Sequence, residues 1–233
     1  MRALGILVVL ASATAPPAPV IRESTHVLVD GKPELWRIEF TAPPEPICQD
    51  EEAVHTAQCT GFAHGEAGQA RLVRLRDQGG KPEVLQVIDL VALVREGVAG
   101  KPSQDAAAVR FPSRKQPVLK LEDLDGDGKA HEFVLQIDTI DSSMQPAIAF
   151  AFDEKTHKLE AIRTVEHPER ALVLMRPALW RTLSHKGGLA LNCGDHGGQL
   201  EESLELKHDA AGWHAASVFR TCDQARKVTR ETL

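Results

Sequence analysis

One recurring pattern constrains the fold of this chain more than any other feature: an alternating apolar run, a few turn residues, then a second alternating run. HVLVDGKPELWRIEF (26–40) turns at Asp30-Gly31, and RLVRLRDQGGKPEVLQVIDL (71–90) turns at Gly79-Gly80. PVLKLEDLDGDGKAHEFVLQID (117–138) turns at an acidic loop, AIAFAFDEKTHKLEAIRTV (147–165) around 153–157, and SLELKHDAAGWHAASVF (203–219) around 209–212. Alternation of this kind sets one face of each strand on a core and the other toward water, and short turns between the runs make neighbours antiparallel. The expectation is a mostly β protein of antiparallel hairpins forming a sandwich, a meander or a small propeller-like sheet. No strict period of about 40–50 residues recurs, which favours sandwich or meander over propeller.

Less regular stretches lie between the hairpins. Residues 41–69 carry both early cysteines with several prolines and glycines, and read as a long loop tied by a disulfide. Residues 95–117 read as a second polar connection, the place where the chain would subdivide if it did. RPALWRTLSHKGG predicts one short helix near 177–186, with Pro177 in the first turn and Gly187-Gly188 after the last. The preceding ERALVLM fits a strand or an earlier helical segment.

The first fifteen residues read as a secretory signal: Arg2, the apolar segment 3–10, then small residues with cleavage expected after Ala13 or Ala15. The apolar segment falls far short of the about 20 residues a membrane-spanning helix needs. Residues 16–233 are then expected to be a single β-rich domain, periplasmic or extracellular. The formal net charge is −6 and basic residues are not clustered, so nucleic acid is excluded as an expected partner. Absence of tyrosine and an aromatic content of 4 % argue against a carbohydrate-stacking platform.

Cys48, Cys59, Cys193 and Cys222 are an even set in a chain read as exported, which points to disulfides; four cysteines allow three pairings. Local pairing, Cys48 with Cys59 and Cys193 with Cys222, is preferred because each pair sits in its own half. The first would close a short acidic loop and stabilise by about 3 kcal/mol in the chain-entropy picture. A zinc site using these cysteines with His55, His64 or His196 is the competing reading, without a C-x-x-C spacing to support it.

LEDLDGDGKAHEF (121–133) is the stretch with the most chemistry. Counting from Asp123 as the first position of a calcium loop, Asp125 and Asp127 fall at the third and fifth, Gly128 at the sixth, and the Lys129 carbonyl at the seventh. Glycines let the backbone fold alternate carboxylates around one hard cation, whereas three carboxylates this close repel without one. Val134 stands where an EF-hand needs its glutamate, and both flanks alternate like strands, so this is no EF-hand. The motif resembles the strand-loop-strand calcium sites of FG-GAP and VCBS-type repeats. The resemblance covers Asp123, Asp125, Gly126, Asp127 and Gly128 in one copy, and implies the three aspartates as calcium ligands. His131 occupies the ninth position, where the family usually has an acidic residue, and Glu132 follows it as the candidate last ligand. A solvated Asp-Gly turn without an ion is the simpler alternative.

LNCGDHGGQ (191–199) crowds Cys193, Asp195 and His196, a conceivable nucleophilic set that a disulfide at Cys193 would disable. No catalytic residue is assigned, since no G-x-S-x-G, H-E-x-x-H or P-loop pattern occurs. The function read from sequence is a binding or structural module with calcium as cofactor and a protein or small-molecule partner. The alternatives are a periplasmic hydrolase assembled from separate loops, or an inhibitor or adhesin acting through residues 41–69.

Overall fold

The computed structural model describes residues 18–96, 108–140, 144–186, 189–191, 200–222 and 227–233. Within them the chain is mostly β, in several antiparallel sheets without a closed barrel. The first sheet has order β1-β2-β5-β6, from β1 (Val20–Val29), β2 (Lys32–Phe40), β5 (Ala70–Gln78) and β6 (Lys81–Asp89). A small sheet joins β3 (Glu45–Ile47), β4 (Gly65–Gly68) and β7 (Val109–Phe111). A third runs β10-β9-β8, from β8 (Phe133–Gln136), β9 (Ala147–Asp153) and β10 (Lys158–Ala161). The last joins β11 (Leu189–Leu191), β12 (Leu200–Asp209), β13 (Gly212–Thr221) and β14 (Val228–Thr232).

The tight turns follow their sequences. Asp30 and Gly31 have φ of 51° and 71°, and Gly79 and Gly80 have 65° and 87°, the paired left-handed conformations a two-residue hairpin turn requires. Helix α3 spans Pro177–Lys186, the range the sequence pattern indicates. Three regions depart from expectation. Residues 41–69 are not simply a long loop: they hold β3, the four-residue helix α1 (Glu51–Val54), a 3-10 turn (Ala57–Cys59) and β4. The stretch before the acidic loop is not a full strand, because the antiparallel contact there is reduced to the single bridge Glu122↔Glu132. ERALVLM is likewise neither strand nor helix: it makes the bridge of Leu174 to Ala147 and a backbone hydrogen bond from Leu172 N–H to the Ile162 carbonyl at 2.8 Å.

Strands β8 and β9 are buried on both faces, and their sequence shows how. In AIAFAFD the large residues Ile148, Phe150 and Phe152 join one core with Trp36, Ile38, Phe40 and Leu72 of the first sheet. The intervening Ala147 and Ala149 face a second core with Trp180 and Leu183 of α3 and Leu206, Trp213 and Ala215 of the last sheet. Small residues on that face let α3 approach closely enough for Trp180 Nε1 to donate to the Ala147 carbonyl at 3.0 Å. Helix α2 (Leu90–Glu96) closes the first core with Leu90, Val91 and Val94, its first turn capped by Asp89 Oδ1 accepting from Val91 N–H at 2.9 Å. The acidic loop enters β8 between these two cores.

Candidate metal centre

Asp123, Asp125 and Asp127 converge. One carboxylate oxygen from each lies within 4.8 Å of the others. Two oxygens on opposite sides of a calcium ion, each at about 2.3–2.6 Å, are about 4.6–5.2 Å apart, so the three fit a single ion of that size. The backbone path explains the convergence: Gly126 and Gly128 take φ of 79° and 86°, which side chains with a Cβ rarely adopt. Asp123 accepts from Gly126 N–H at 2.8 Å and Gly128 N–H at 3.0 Å, Asp125 from Asp127 N–H at 3.0 Å, and Asp127 from Lys129 N–H at 2.8 Å.

Two hydrophobic anchors fix the loop from inside. Leu124, 2 % exposed, is part of the second core, and Phe133, immediately after Glu132, is part of the first. Arg181 of α3 holds the incoming segment by donating from Nε to both oxygens of Glu122, at 2.6 and 2.5 Å. The loop is therefore sewn to both halves of the protein.

Glu132 is 2 % exposed, and its carboxylate accepts one hydrogen bond, from Leu124 N–H to Oε2 at 2.9 Å. Burial pushes its carboxyl up to about 8; the Leu124 N–H acts against the rise, and Asp125, Asp127 and Asp123 add to it. Burial also raises Asp125, with the neighbouring aspartates contributing. At Glu132 and Asp125 the charged form is thus disfavoured. A hard cation bound among them would reverse that.

The other loop residues divide plainly. His131 is engaged elsewhere: its Nε2 meets the Leu28 carbonyl at 2.9 Å, and its ring lies against Trp36 and Phe152. Between the two candidates for a last acidic ligand position, Glu132 is the one facing the aspartates' field, although it stands outside the trio whose oxygens converge. Lys129, expected to offer its carbonyl, also brings a side-chain ammonium, paired with Glu154 and 3.8 Å from Asp127 Oδ2. His208 of β12 reaches the site from far along the chain, with Nδ1 3.7 Å from Asp125 Oδ2 and its ring stacked on Trp213. No local sequence signal marks His208; only the strand pairing brings it there.

The cysteine expectation is met in the first half. Cys48 and Cys59 form a disulfide with Cα atoms 5.8 Å apart, so neither is available to a zinc ion. Arg110 sits against it, 4.6 Å over the Phe62 ring and donating to the Gln58 carbonyl at 3.0 Å. Cys193, Asp195 and His196 lie outside the described residues, as does the expected signal segment. A shallow depression of about 320 Å³ in the 41–69 region is lined by His64, Glu66, Ser113 and Arg114 among others. Its acid is already committed, Glu66 Oε2 accepting from Arg114 Nε at 3.0 Å.

Comparison with protein-family models, with curated proteins and with solved structures finds no match. The reading of the site rests on its geometry. No helix among the described residues is long and apolar enough to cross a membrane.

Proposed function

We propose that this protein is an exported, disulfide-stabilised binding or structural module, periplasmic or extracellular, in which one calcium ion braces the loop that joins its two cores. The observation that carries the reading is the convergence of Asp123, Asp125 and Asp127 beside the buried Glu132 carboxylate. The donor set is all oxygen and anionic, the preference of calcium over softer metals. The likeness of D-L-D-G-D-G to FG-GAP and VCBS-type loops agrees with it, and the Cys48–Cys59 bond suits an oxidising compartment. Asp123, Asp125 and Asp127 would hold the ion, with Glu132 and the Lys129 carbonyl completing its shell. The ion supplies charge neutralisation at a junction of cores, a bracing role.

The test is thermal unfolding of the oxidised protein in calcium and in EDTA, with Asp125→Asn beside it. At a calcium concentration about 100 times Kd, a ligand of the folded state alone stabilises by about 2.7 kcal/mol, a rise of roughly 5–10 °C for a chain of this size. Asp125→Asn should abolish that rise. Identical melting of the native protein in both buffers would overturn the calcium reading. The export reading stands or falls separately, on N-terminal sequencing of protein recovered from outside the cytoplasm.

A further inference from the structure

The large apolar side chains that reach solvent are not evenly spread. In the β1-β2-β5-β6 sheet, Leu28 lies opposite Pro33, Leu35 opposite Leu75, Leu75 opposite Val84, and Val73 opposite Val87. Strand alternation therefore sets these residues on one face, the reverse of the face where Trp36, Ile38 and Leu72 build the first core. On this outer face Leu28 is 67 % exposed, Val84 58 % and Val87 51 %. Val73 and Leu75 between them are buried, yet belong to neither hydrophobic core cluster.

Four of the charges of this face lie at one end and compensate one another there. Glu39, with 0 % exposure, is clasped by Arg37 at 2.5 Å and Arg71 at 2.6 Å, and Asp89 pairs in register with Arg71. Two cations and two anions sum to zero. At the opposite end, Asp77 is turned into its hairpin, accepting from Gly80 N–H at 2.7 Å. Apart from Asp77, which is held in the hairpin at the rim, two such faces can therefore meet without bringing uncompensated like charges together.

Size points the same way. Four strands spaced about 4.8 Å, each of nine residues in β2, β5 and β6 rising about 3.4 Å per residue, make a face of about 590 Å². Two opposed faces would bury about 1,200 Å², at the lower end of specific interfaces. The edges are poor sites for strand addition: β6 carries Pro82 and a register shift opposite Arg74/Leu75, and β1 has its Leu28 and Ile21 carbonyls taken by His131 and Arg114. We infer that the outer face of the first sheet docks a second copy of this chain, sheet on sheet, with the patch of Leu28, Leu35, Val84 and Val87 at its centre. The inference is independent of the calcium loop, which lies on other elements.

Sedimentation equilibrium of the full chain over a range of concentrations tests it, with a Val84→Lys/Val87→Lys double variant as the probe. The native protein should pass from the mass of one chain to that of two, and added sodium chloride should not weaken the association. The double variant should weaken it by about tenfold or more while keeping its far-ultraviolet circular dichroism and, at concentrations where both proteins are single chains, its melting point, since both side chains are exposed. Three results overturn the inference: a single-chain mass at every concentration, equal association by the variant, or dissociation by salt. A single-chain native protein whose melting point falls in the double variant would assign the patch to another segment of the same chain, and so would also overturn it.

Discussion

Two buried glutamates in this protein solve the same problem in opposite ways. Glu34 on β2, 1 % exposed, receives Arg74 Nη2 at 3.1 and 2.8 Å, Arg74 Nε at 3.0 Å, Arg76 Nη2 at 2.7 Å and Trp36 Nε1 at 3.0 Å. Arg74 is itself packed 4.7 Å over the Phe152 ring. Glu132 on the acidic loop is as deeply buried, but accepts one backbone N–H and looks onto three aspartates. A buried carboxylate is tolerable when its charge is met and its lone pairs are used. Glu34 meets that condition within the chain. Glu132 meets it only with a cation from outside or a proton, and this difference is the physical case for a metal.

The largest effect should come from breaking the self-sufficient site. Arg74→Ala leaves buried Glu34 with Arg76 as its one cation and Trp36 Nε1 as its one other donor, and opens space beside Phe152 and Trp36. A loss of about 3–5 kcal/mol is expected, as for other buried pairs deprived of one partner. Denaturant unfolding should give the same loss in calcium and in EDTA. A loss under about 1 kcal/mol would mean that Glu34 is less dependent on its arginines than the geometry implies.

Glu132→Gln should act in the opposite sense. Glutamine preserves the shape and the acceptor for Leu124 N–H while removing the need to take up a proton, or bury a charge, beside Asp123, Asp125 and Asp127. In EDTA near neutral pH the variant should gain on the order of 2 kcal/mol, read as a melting point higher by roughly 4–8 °C. In calcium the gain should shrink or reverse, because a ligand or near-ligand has been removed. If the variant is less stable than the native protein in EDTA, the contrast between the two glutamates collapses.

The same contrast has a pH signature. With its carboxyl raised from 4.5 to about 8 by burial, Glu132 holds its proton in the folded state while the unfolded chain releases it. The unfolded state then binds fewer protons, so stability falls as pH rises through the window between 4.5 and 8. Calcium should flatten that fall, and so should Glu132→Gln. A calcium-free protein whose melting point is level across this window would show that the Glu132 carboxyl is not raised.

How much of this was legible beforehand follows from how local each signal is. The turns at Asp30-Gly31 and Gly79-Gly80, and α3 between its proline and glycines, are written in adjacent residues and were readable. The aspartates of the acidic loop were too, since alternate carboxylates and glycines act over a few positions. β3 and β4 escaped notice because three or four residues cannot display an alternation, and β7, which completes their sheet, is some forty residues away in the chain. The Glu34–Arg74–Arg76 cluster was also hidden, because the register of β2 on β5 creates it. His208 beside Asp125 belongs to the same class: a contact made by topology, without a local trace.

A third carboxylate setting gives the smallest effect and a control for the others. Glu166 is on the surface with a cationic partner, His214 Nδ1 at 2.7 Å, while His214 Nε2 lies 3.4 Å from Asp209 Oδ2. The His214 contact holds Glu166 below the usual carboxylate range, and the Glu166 hydrogen bond raises His214 above 6.5. Because the raised group is a cation, its contribution is complete below the unfolded value of 6.5 and is lost as pH rises through the folded one. An exposed pair of this kind contributes little, so His214→Gln should change stability only slightly, and only on the acidic side. It overlaps the Glu132 window in direction, yet the two can be separated. Calcium should remove the slope due to Glu132 and leave that due to His214, whereas His214→Gln should do the reverse. If calcium erases the whole pH dependence of the native protein, the surface pair contributes nothing measurable, and the contrast between a charge met inside the chain and one met from outside rests on Glu34 and Glu132 alone.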